Sequence, residues 1–593
     1  MLPPDSPIFP SERSARFLQS VLTRRHYRTL LGLLVLFSTV YLLRKIDTPI
    51  RTVTLDQLSL SRIPIFDPSY PKYSKTPLKN QEHPPLYEQW HKYERNLPQH
   101  VSLPPPEGKA AKFLFMADHA YASGWGNILQ EMILNAHLAY ATNRAFVFDN
   151  YTWDRHESDY SEFNGKIIPS RVPVSTMLSG PIIGGPLLTS SSSSELHPRA
   201  VHREYYRSLC PDPTIIHPGS IKSDITSNDG LEVMTRWVNK IKRIEKEMED
   251  RYGEDSMEAR CLELAINEGQ LFDICLLNNL WRLSLTSVFG HSNILSLWPV
   301  LRQSPIIQQF AFSPLILRAY HTNKELFLPS SQDIGFFSWL TSFLPFPSFS
   351  DSRTELALAK LGDHPVVLNA SPIPGLLTIH LRRGDFLEHC QNLVQWNSEY
   401  SGFNAAKEFY EDDKLKVPSH QGSEMKANLK ELGKEEKERE YRRHCFPTIE
   451  EIVDKVERVR KDVREYVVMK RLQEGNSAIA GAGEKGHVEV EGEVEMEGNL
   501  NRIYIMSNAP KEWLEELKDA LMWNGGHGRG WEDIRTSRDL ELSWEEKYVA
   551  QSLDMYVAMR SEAFIGNGFS SLTSNIVMIR MARNVNPVYT RLW

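Results

Sequence analysis

The sequence predicts an α/β protein of two Rossmann-like halves facing a cleft, with a transmembrane helix near the N-terminus. Two strand–helix patterns, one starting at Lys112 and one near Gly375, carry the first expectation; an uncharged run from Leu30 to Leu43 carries the second. Taking these in chain order divides the molecule into a cytoplasmic tail (1–28), a membrane anchor (29–43), a Pro-rich stem (44–108), an N-terminal half (109–374) and a C-terminal half (375–593).

The run LLGLLVLFSTVYLL follows Arg24, Arg25 and Arg28 and precedes Arg44 and Lys45. The 15 residues between Arg28 and Arg44 make about 22 Å of helix. Flanking arginines extend such a span by snorkelling, and early secretory membranes are thin. No small-x-small cleavage site follows Leu43, which favours an uncleaved anchor over a signal peptide. The basic N-terminal flank then places the long C-terminal part in the lumen of the Golgi or endoplasmic reticulum, as in a type II membrane protein. Eleven prolines between residues 44 and 108 remove amide donors and disfavour sheet or helix, so the segment reads as a stem.

In the body, Phe113–Met116 reads as a buried strand, 118–127 as a loop, 128–142 as a helix, and 144–148 as a second strand, the unit of a parallel sheet. Residues 189–194 are a serine run, and 230–320 read as mostly helical. Leu376–Leu381, Ile503–Met506 and Phe564–Gly566 read as strands, Ile449–Val468 as a helix, Ser543-x-x-Glu546 as a capping box, and Ser570 or Ser571 as the cap of a last helix. Two stretches of the C-terminal half, 411–443 (dense in charge) and 473–500 (rich in Gly and Glu), read as solvated or disordered insertions. Asp412 and Asp413 are expected in solvent.

The chain has 593 residues, a net charge of −7 and 41% hydrophobic residues. That composition supports more than one core and argues against a nucleic-acid partner, which needs a basic face. The five cysteines show no zinc-ligand spacing. Cys390 and Cys445 flank a polar segment and are expected to bridge if the compartment is oxidising, with all thiols free as the alternative. Asn150-Tyr151-Thr152 and Asn369-Ala370-Ser371 are N-glycan sequons that suit a lumenal body.

Three loops carry candidate chemistry. Ser123-Gly124-Trp125-Gly126-Asn127 joins a strand to a helix, where glycines admit a ligand and the helix start offers amides; an ordinary βα turn is the alternative. His380-Leu381-Arg382-Arg383-Gly384-Asp385 ends a strand with two guanidinium groups suited to phosphate, although Arg383 can instead pair with Asp385. Gly566 to Thr573 ends a strand and opens a helix with small and hydroxyl residues, which can bind phosphate or simply cap the helix. Asp554 lies on the preceding helix, either in solvent or reaching into the cleft.

Together these loops resemble the protein O-fucosyltransferase family and its GDP-fucose-dependent relatives. Asp554-Met555-Tyr556, Phe564-Ile565-Gly566-Asn567 and Ser570-Ser571-Leu572-Thr573 are the tightest match, with His380-Leu381-Arg382 and Gly126-Asn127 as the others. The resemblance implies an α/β, GT-B-like fold, GDP-fucose as donor substrate, no cofactor, and inverting transfer to a protein Ser/Thr or glycan hydroxyl. It implies that Arg382 binds the β-phosphate, and that His380 and Leu381 line the donor site. Asp554 would hold the guanosine end, and Ser570, Ser571 and Leu572 the diphosphate. Asn127, with Gly124, Trp125 and Gly126, would face sugar and acceptor. Arg382 and Asn127 are the catalytic candidates. No metal is expected, since a diphosphate leaving group here meets arginine, hydroxyls and amides, and no convincing Asp-x-Asp loop is present; Asp539-Leu540-Glu541 is the nearest. The catalytic base is left open: Asp118, Glu131 (which reads as a surface residue) and Asp385 are the carboxylates weighed. A nucleotide-sugar-binding pseudoenzyme and a transferase using another nucleotide sugar are the rival readings.

Overall fold

The computed structural model describes residues 83–593 except 102, 118, 157, 164, 188–196, 218–228, 265–291, 329–365, 385, 417–433, 482–497 and 524–529. The expected tail, the expected span at 29–43, the serine run, Asp118, Asp385 and Cys275 lie outside the described residues. Among the described residues no helix is long and apolar enough to cross a membrane.

Two five-stranded parallel sheets form the body. The first comprises β1 (Phe113–Met116), β2 (Ala145–Phe148), β3 (Val201–His202), β4 (Thr214–Ile216) and β5 (Cys261–Leu264), in the order β3-β2-β1-β5-β4. The second comprises β6 (Ile373–Leu381), β7 (Arg502–Ser507), β8 (Asp533–Thr536), β9 (Ser561–Gly566) and β10 (Thr590–Leu592), in the order β8-β7-β6-β9-β10. All four residues of β1 are buried, as a parallel strand covered on both faces requires. In each sheet the order reverses beside its first strand. In the second sheet that reversal falls between β6 and β9, and the carboxyl ends of strands at such a point are where open α/β sheets bind ligands. This is a mixed α/β architecture with parallel sheets, consistent with a GT-B-like fold.

The helices that matter are α1 (Glu88–Arg95), α2 (Trp125–Ala141), α3 (Gly230–Tyr252), α4 (Pro314–Thr322), α5 (Phe386–Trp396), α6 (Lys434–Cys445), α7 (Ile449–Gly481), α8 (Lys511–Met522), α9 (Ala550–Arg560) and α10 (Ser571–Ala582). Ile452, Val456, Val459 and Val463 recur at helical spacing on α7 and pack with Leu514, Leu517 and Leu521 of α8 against Leu377, Ile379 and Leu381 of β6. Strand residues alternate between faces, so His380 is turned to the other side, where α10 lies.

Several expectations are corrected. Cys261–Leu264 is a strand within the stretch read as mostly helical; four residues, one of them Glu263, are too few for periodicity to separate the two. Helix α2 starts at Trp125, three residues early, because Gly124 takes an extended conformation and leads directly into it. The capping box at Ser543 and Glu546 is made, but it opens only the turn Trp544–Lys547, and α9 starts afresh at Ala550. Helix α7 runs to Gly481, into the stretch read as an insertion. Asp413 is fully buried rather than solvated, because Lys455 and Arg591 pair with it.

Residues at the end of the expected stem pack onto the body. Tyr87 and Trp90 are buried, the Tyr87 hydroxyl donates to the Glu545 carbonyl at 2.7 Å, and the Glu94 carboxylate accepts from the Ser175 amide at 2.8 Å. Prolines there punctuate a packed segment instead of keeping it apart. The disulfide Cys390–Cys445 joins α5 to the end of α6, and a second, Cys210–Cys261, ties the segment after β3 to β5.

Candidate functional site

The starts of two helices, one from each sheet, meet. Gly126 in the first turn of α2 lies against Ser571 and Leu572 in the first turn of α10: a methyl group on Gly126 would sit 2.6 Å from the Leu572 amide nitrogen and 2.7 Å from Ser571 Oγ. Asn575 Nδ2 donates to the Gly126 carbonyl at 2.8 Å, and Gln130 Nε2 to Ser574 Oγ at 2.9 Å. Only glycine permits this approach. Two helix starts and their positive dipole ends are thereby set side by side, an arrangement suited to an anion. Gly124 is exposed with open space where a side chain would be, Trp125 is buried against the edge of the Tyr151 ring, and Asn127 is half-buried with Nδ2 donating to Ser123 Oγ at 2.9 Å.

The His380 loop separates its residues sharply. The His380 imidazole is buried, with Nδ1 2.9 Å from Thr573 Oγ1 on α10. Burial first, and then the neighbouring Arg382, hold its pKa down to about 3, so the ring is neutral at ordinary pH. The Trp593 indole donates to the His380 carbonyl at 2.8 Å and fixes the end of β6. The Leu381 side chain belongs to the core on the opposite face, which corrects its reading as a donor-site lining; only its backbone reaches the strand end. Arg382 is half-buried, its guanidinium 4.7 Å from the Phe386 ring centre. Arg383 turns inward instead, between the rings of Phe446 (4.0 Å) and Trp513 (4.2 Å), and donates to the Pro447 carbonyl. Of the two guanidinium groups, then, Arg383 is built into the interior.

The Gly566–Ser570 loop is held from below. Asn567 Nδ2 donates to the Cys445 carbonyl at 3.0 Å, and the Gly568 carbonyl accepts from the Ser401 amide at 2.8 Å and Asn404 Nδ2 at 2.9 Å. A methyl group on Gly568 would lie 2.4 Å from the Tyr400 ring. Ser570 occupies the cap position without a capping side-chain bond, while Ser571 and Leu572 are half-buried in the first turn. Asp554 is held by Tyr504 of β7, whose hydroxyl donates at 2.6 Å, and by the Ser537 hydroxyl at 3.1 Å, directly after β8. Burial raises its pKa to about 6 against the lowering effect of those bonds. Asp539 accepts from the Thr536 amide and hydroxyl and pairs with Lys518, so its carboxylate serves the turn after β8.

Sequence reasoning passed over a cluster at the carboxyl ends of β1 and β2. His119 Nε2 lies 3.2 Å from Asp149 Oδ2, which also accepts from Arg203 at 2.6 Å, while Asp149 Oδ1 accepts from the Asn150 amide at 2.8 Å. Burial alone would raise the Asp149 pKa, but His119 and Arg203 outweigh it and keep the group ionised; Asp149 in turn raises the pKa of His119 against burial. Glu131, read as a surface residue, is buried, and its Oε2 accepts from the Ala120 amide at 2.7 Å. One signal was available: His119 and Asp149 each follow a four-residue apolar run closely, at the sheet edge that binds ligands. The sequon asparagine Asn150 is half-buried with Nδ2 near Asp149, whereas Asn369 is exposed.

No protein-family model matches the chain, and no curated protein matches it. Among solved structures, a crystal structure of POFUT1 in complex with GDP-fucose aligns at 12% identity over 81% of this chain and 97% of that one, with a TM-score of 0.37. One of POFUT1 in complex with GDP aligns at 11% identity over 80% and 96%, with a TM-score of 0.32. A likeness at this level assigns neither family nor activity.

Proposed function

We propose that the chain is a glycosyltransferase that moves fucose from GDP-fucose to a protein Ser/Thr or glycan hydroxyl, with inversion and without a metal. The observation that carries this is the meeting of the α2 and α10 N-termini at Gly126 and Ser571, with the Arg382 loop at the carboxyl end of the neighbouring strand. Breaking the sugar–phosphate bond puts charge on the diphosphate. In this reading Arg382, the Ser571 hydroxyl and the first amides of α10 stabilise it, Asp554 holds the guanosine end, and Asn127 with Gly124 to Gly126 faces sugar and acceptor. Donors of this kind are worth about 10²–10³ in rate each. The motif resemblance supports fucose and guanosine. The apolar run at 29–43 supports a membrane-anchored enzyme with its body in the lumen of the Golgi or endoplasmic reticulum.

The test is calorimetry of the full-length chain with GDP and UDP, beside GDP release from GDP-fucose. GDP binds in preference to UDP and is released with turnover, and Arg382→Ala lowers release by at least about 10²-fold. Retained turnover in that variant refutes the assignment of Arg382. Preference for UDP refutes the donor. GDP binding without release on any acceptor identifies a binding pseudoenzyme instead.

A further inference from the structure

We infer that the Cys390–Cys445 disulfide is a positioning element of the diphosphate site: it holds the Arg382 loop and the 566–570 loop in fixed relation. The inference deepens the transfer reading above and rests on it.

The bond joins two elements that each reach a loop of the site. Helix α5 begins at Phe386, whose amide donates to the Arg383 carbonyl at 3.0 Å and whose ring lies 4.7 Å from the Arg382 guanidinium. Cys390 follows one turn later on the same helix face, and both side chains are buried. On the other side of the bond, residues 444–447 touch both loops. The Phe446 ring stacks on Arg383 at 4.0 Å, and the Pro447 carbonyl accepts from the same guanidinium. The Cys445 carbonyl accepts from Asn567 Nδ2 at 3.0 Å, and Asn567 Oδ1 accepts from the Phe569 amide at 2.9 Å. His444 Nδ1 lies 2.7 Å from the hydroxyl of Tyr400, whose ring packs against Gly568. Four consecutive residues are therefore the common support of the two loops, and the disulfide ties that support to the helix beneath Arg382.

The support needs such a tie. Helix α6, which leads into it, is dense in charge, and among its described residues only Tyr441, His444 and Cys445 are buried. Little apolar surface presses this helix onto the body, so burial alone fixes it weakly. With the bond absent, residues 444–447 shift relative to α5, and Arg382 and the α10 start no longer close on the diphosphate together.

The second disulfide provides the control. Cys210 and Cys261 are 51 residues apart and Cys390 and Cys445 are 55 apart, so loop-closure entropy makes their contributions to stability nearly equal. Cys261, however, opens β5 at its amino end, the edge opposite the one that binds ligands.

The full-length wild type, Cys390→Ala/Cys445→Ala and Cys210→Ala/Cys261→Ala are titrated with GDP by calorimetry, with thermal unfolding followed on the same samples. Both variants are expected to unfold at similarly lowered temperatures. GDP affinity is expected to fall about tenfold or more in Cys390→Ala/Cys445→Ala and to stay within about threefold of wild type in Cys210→Ala/Cys261→Ala. Should the first variant not fold, the second, which keeps the Cys390–Cys445 bond, is folded and then treated with dithiothreitol until titration counts two new thiols. The reductant supplies two electrons and two protons and closes to its own cyclic disulfide, and the same loss of affinity is expected. Unchanged affinity after loss of the Cys390–Cys445 bond, or an equal loss in both variants, overturns the inference. A wild type that binds no GDP is a different result, which overturns the transfer reading and the positioning role with it.

Discussion

Asp554 sits on an apolar helix face, where a carboxylate is expensive unless it is bonded. Tyr504 and Ser537 supply those bonds, yet burial still raises its pKa from 3.8 to about 6. A pKa raised by folding contributes stability that is complete below the unfolded value and is lost as pH rises through the folded one. The unfolding midpoint of the wild type is therefore expected to fall between about pH 4 and 6 from this group, and Asp554→Asn to remove that dependence; a midpoint–pH curve unchanged in the variant refutes it. Asp413 is held by charged partners instead of neutral hydroxyls. Its carboxylate is fully buried and accepts from Arg591 Nε at 2.5 Å and Nη2 at 3.1 Å as well as from Lys455. Asp413→Asn takes the counter-charge from buried Lys455 and leaves Arg591 with Asp462 alone, at a cost of about 3–5 kcal/mol, measurable by denaturant unfolding.

At the scale of elements, the site depends on how closely α2 and α10 approach. Gly126 is the spacer, since any side chain there meets the Leu572 backbone. Gly126→Ala has to push the two helix starts apart, and overpacking of this kind costs about 1–3 kcal/mol. GDP affinity is expected to fall by about tenfold or more, at 1.4 kcal/mol per factor of ten, whereas Gly124→Ala, which meets open space, leaves it near wild type. Equal affinities in the two variants would separate the helix junction from the binding site. The Arg382–Arg383 pair makes the related point that adjacent residues at a strand end face opposite ways. The aromatic slot of Phe446 and Trp513 takes the Arg383 guanidinium, while that of Arg382 lies half-buried by the Phe386 ring.

At the scale of the molecule, the segment before β1 is a strap across both halves. Tyr87 bonds to Glu545 beside the second sheet's helices, while Glu94 and Gln99 bond to Ser175 and to the Ala200 carbonyl on the first. A chain starting at Lys109, where composition places the body's edge, loses these bonds and exposes the surface that Tyr87 and Trp90 cover. Burial of each such ring contributes about 1.5–3 kcal/mol. That truncation is expected to unfold at a markedly lower temperature than a chain starting before His83, and equal midpoints would show the strap to be dispensable.

The sequence by itself determined the central strands. Phe113–Met116, Leu376–Leu381, Ile503–Met506 and Phe564–Gly566 are apolar runs ended by loop residues, and such runs become buried parallel strands because nothing else hides their side chains on both faces. The three loops were legible because each lies between one of these strands and the helix after it. Tertiary structure alone decided which residues from distant parts of the chain share a space: Gly126 with Leu572, His119 with Asp149, Asp413 with Arg591, Cys210 with Cys261, Tyr87 with Glu545. Periodicity is a property of neighbours along the chain and fixes which face of an element turns inward. The pairing of buried charges and the meeting of helix starts depend on how separate elements stack, and local pattern carries no record of that.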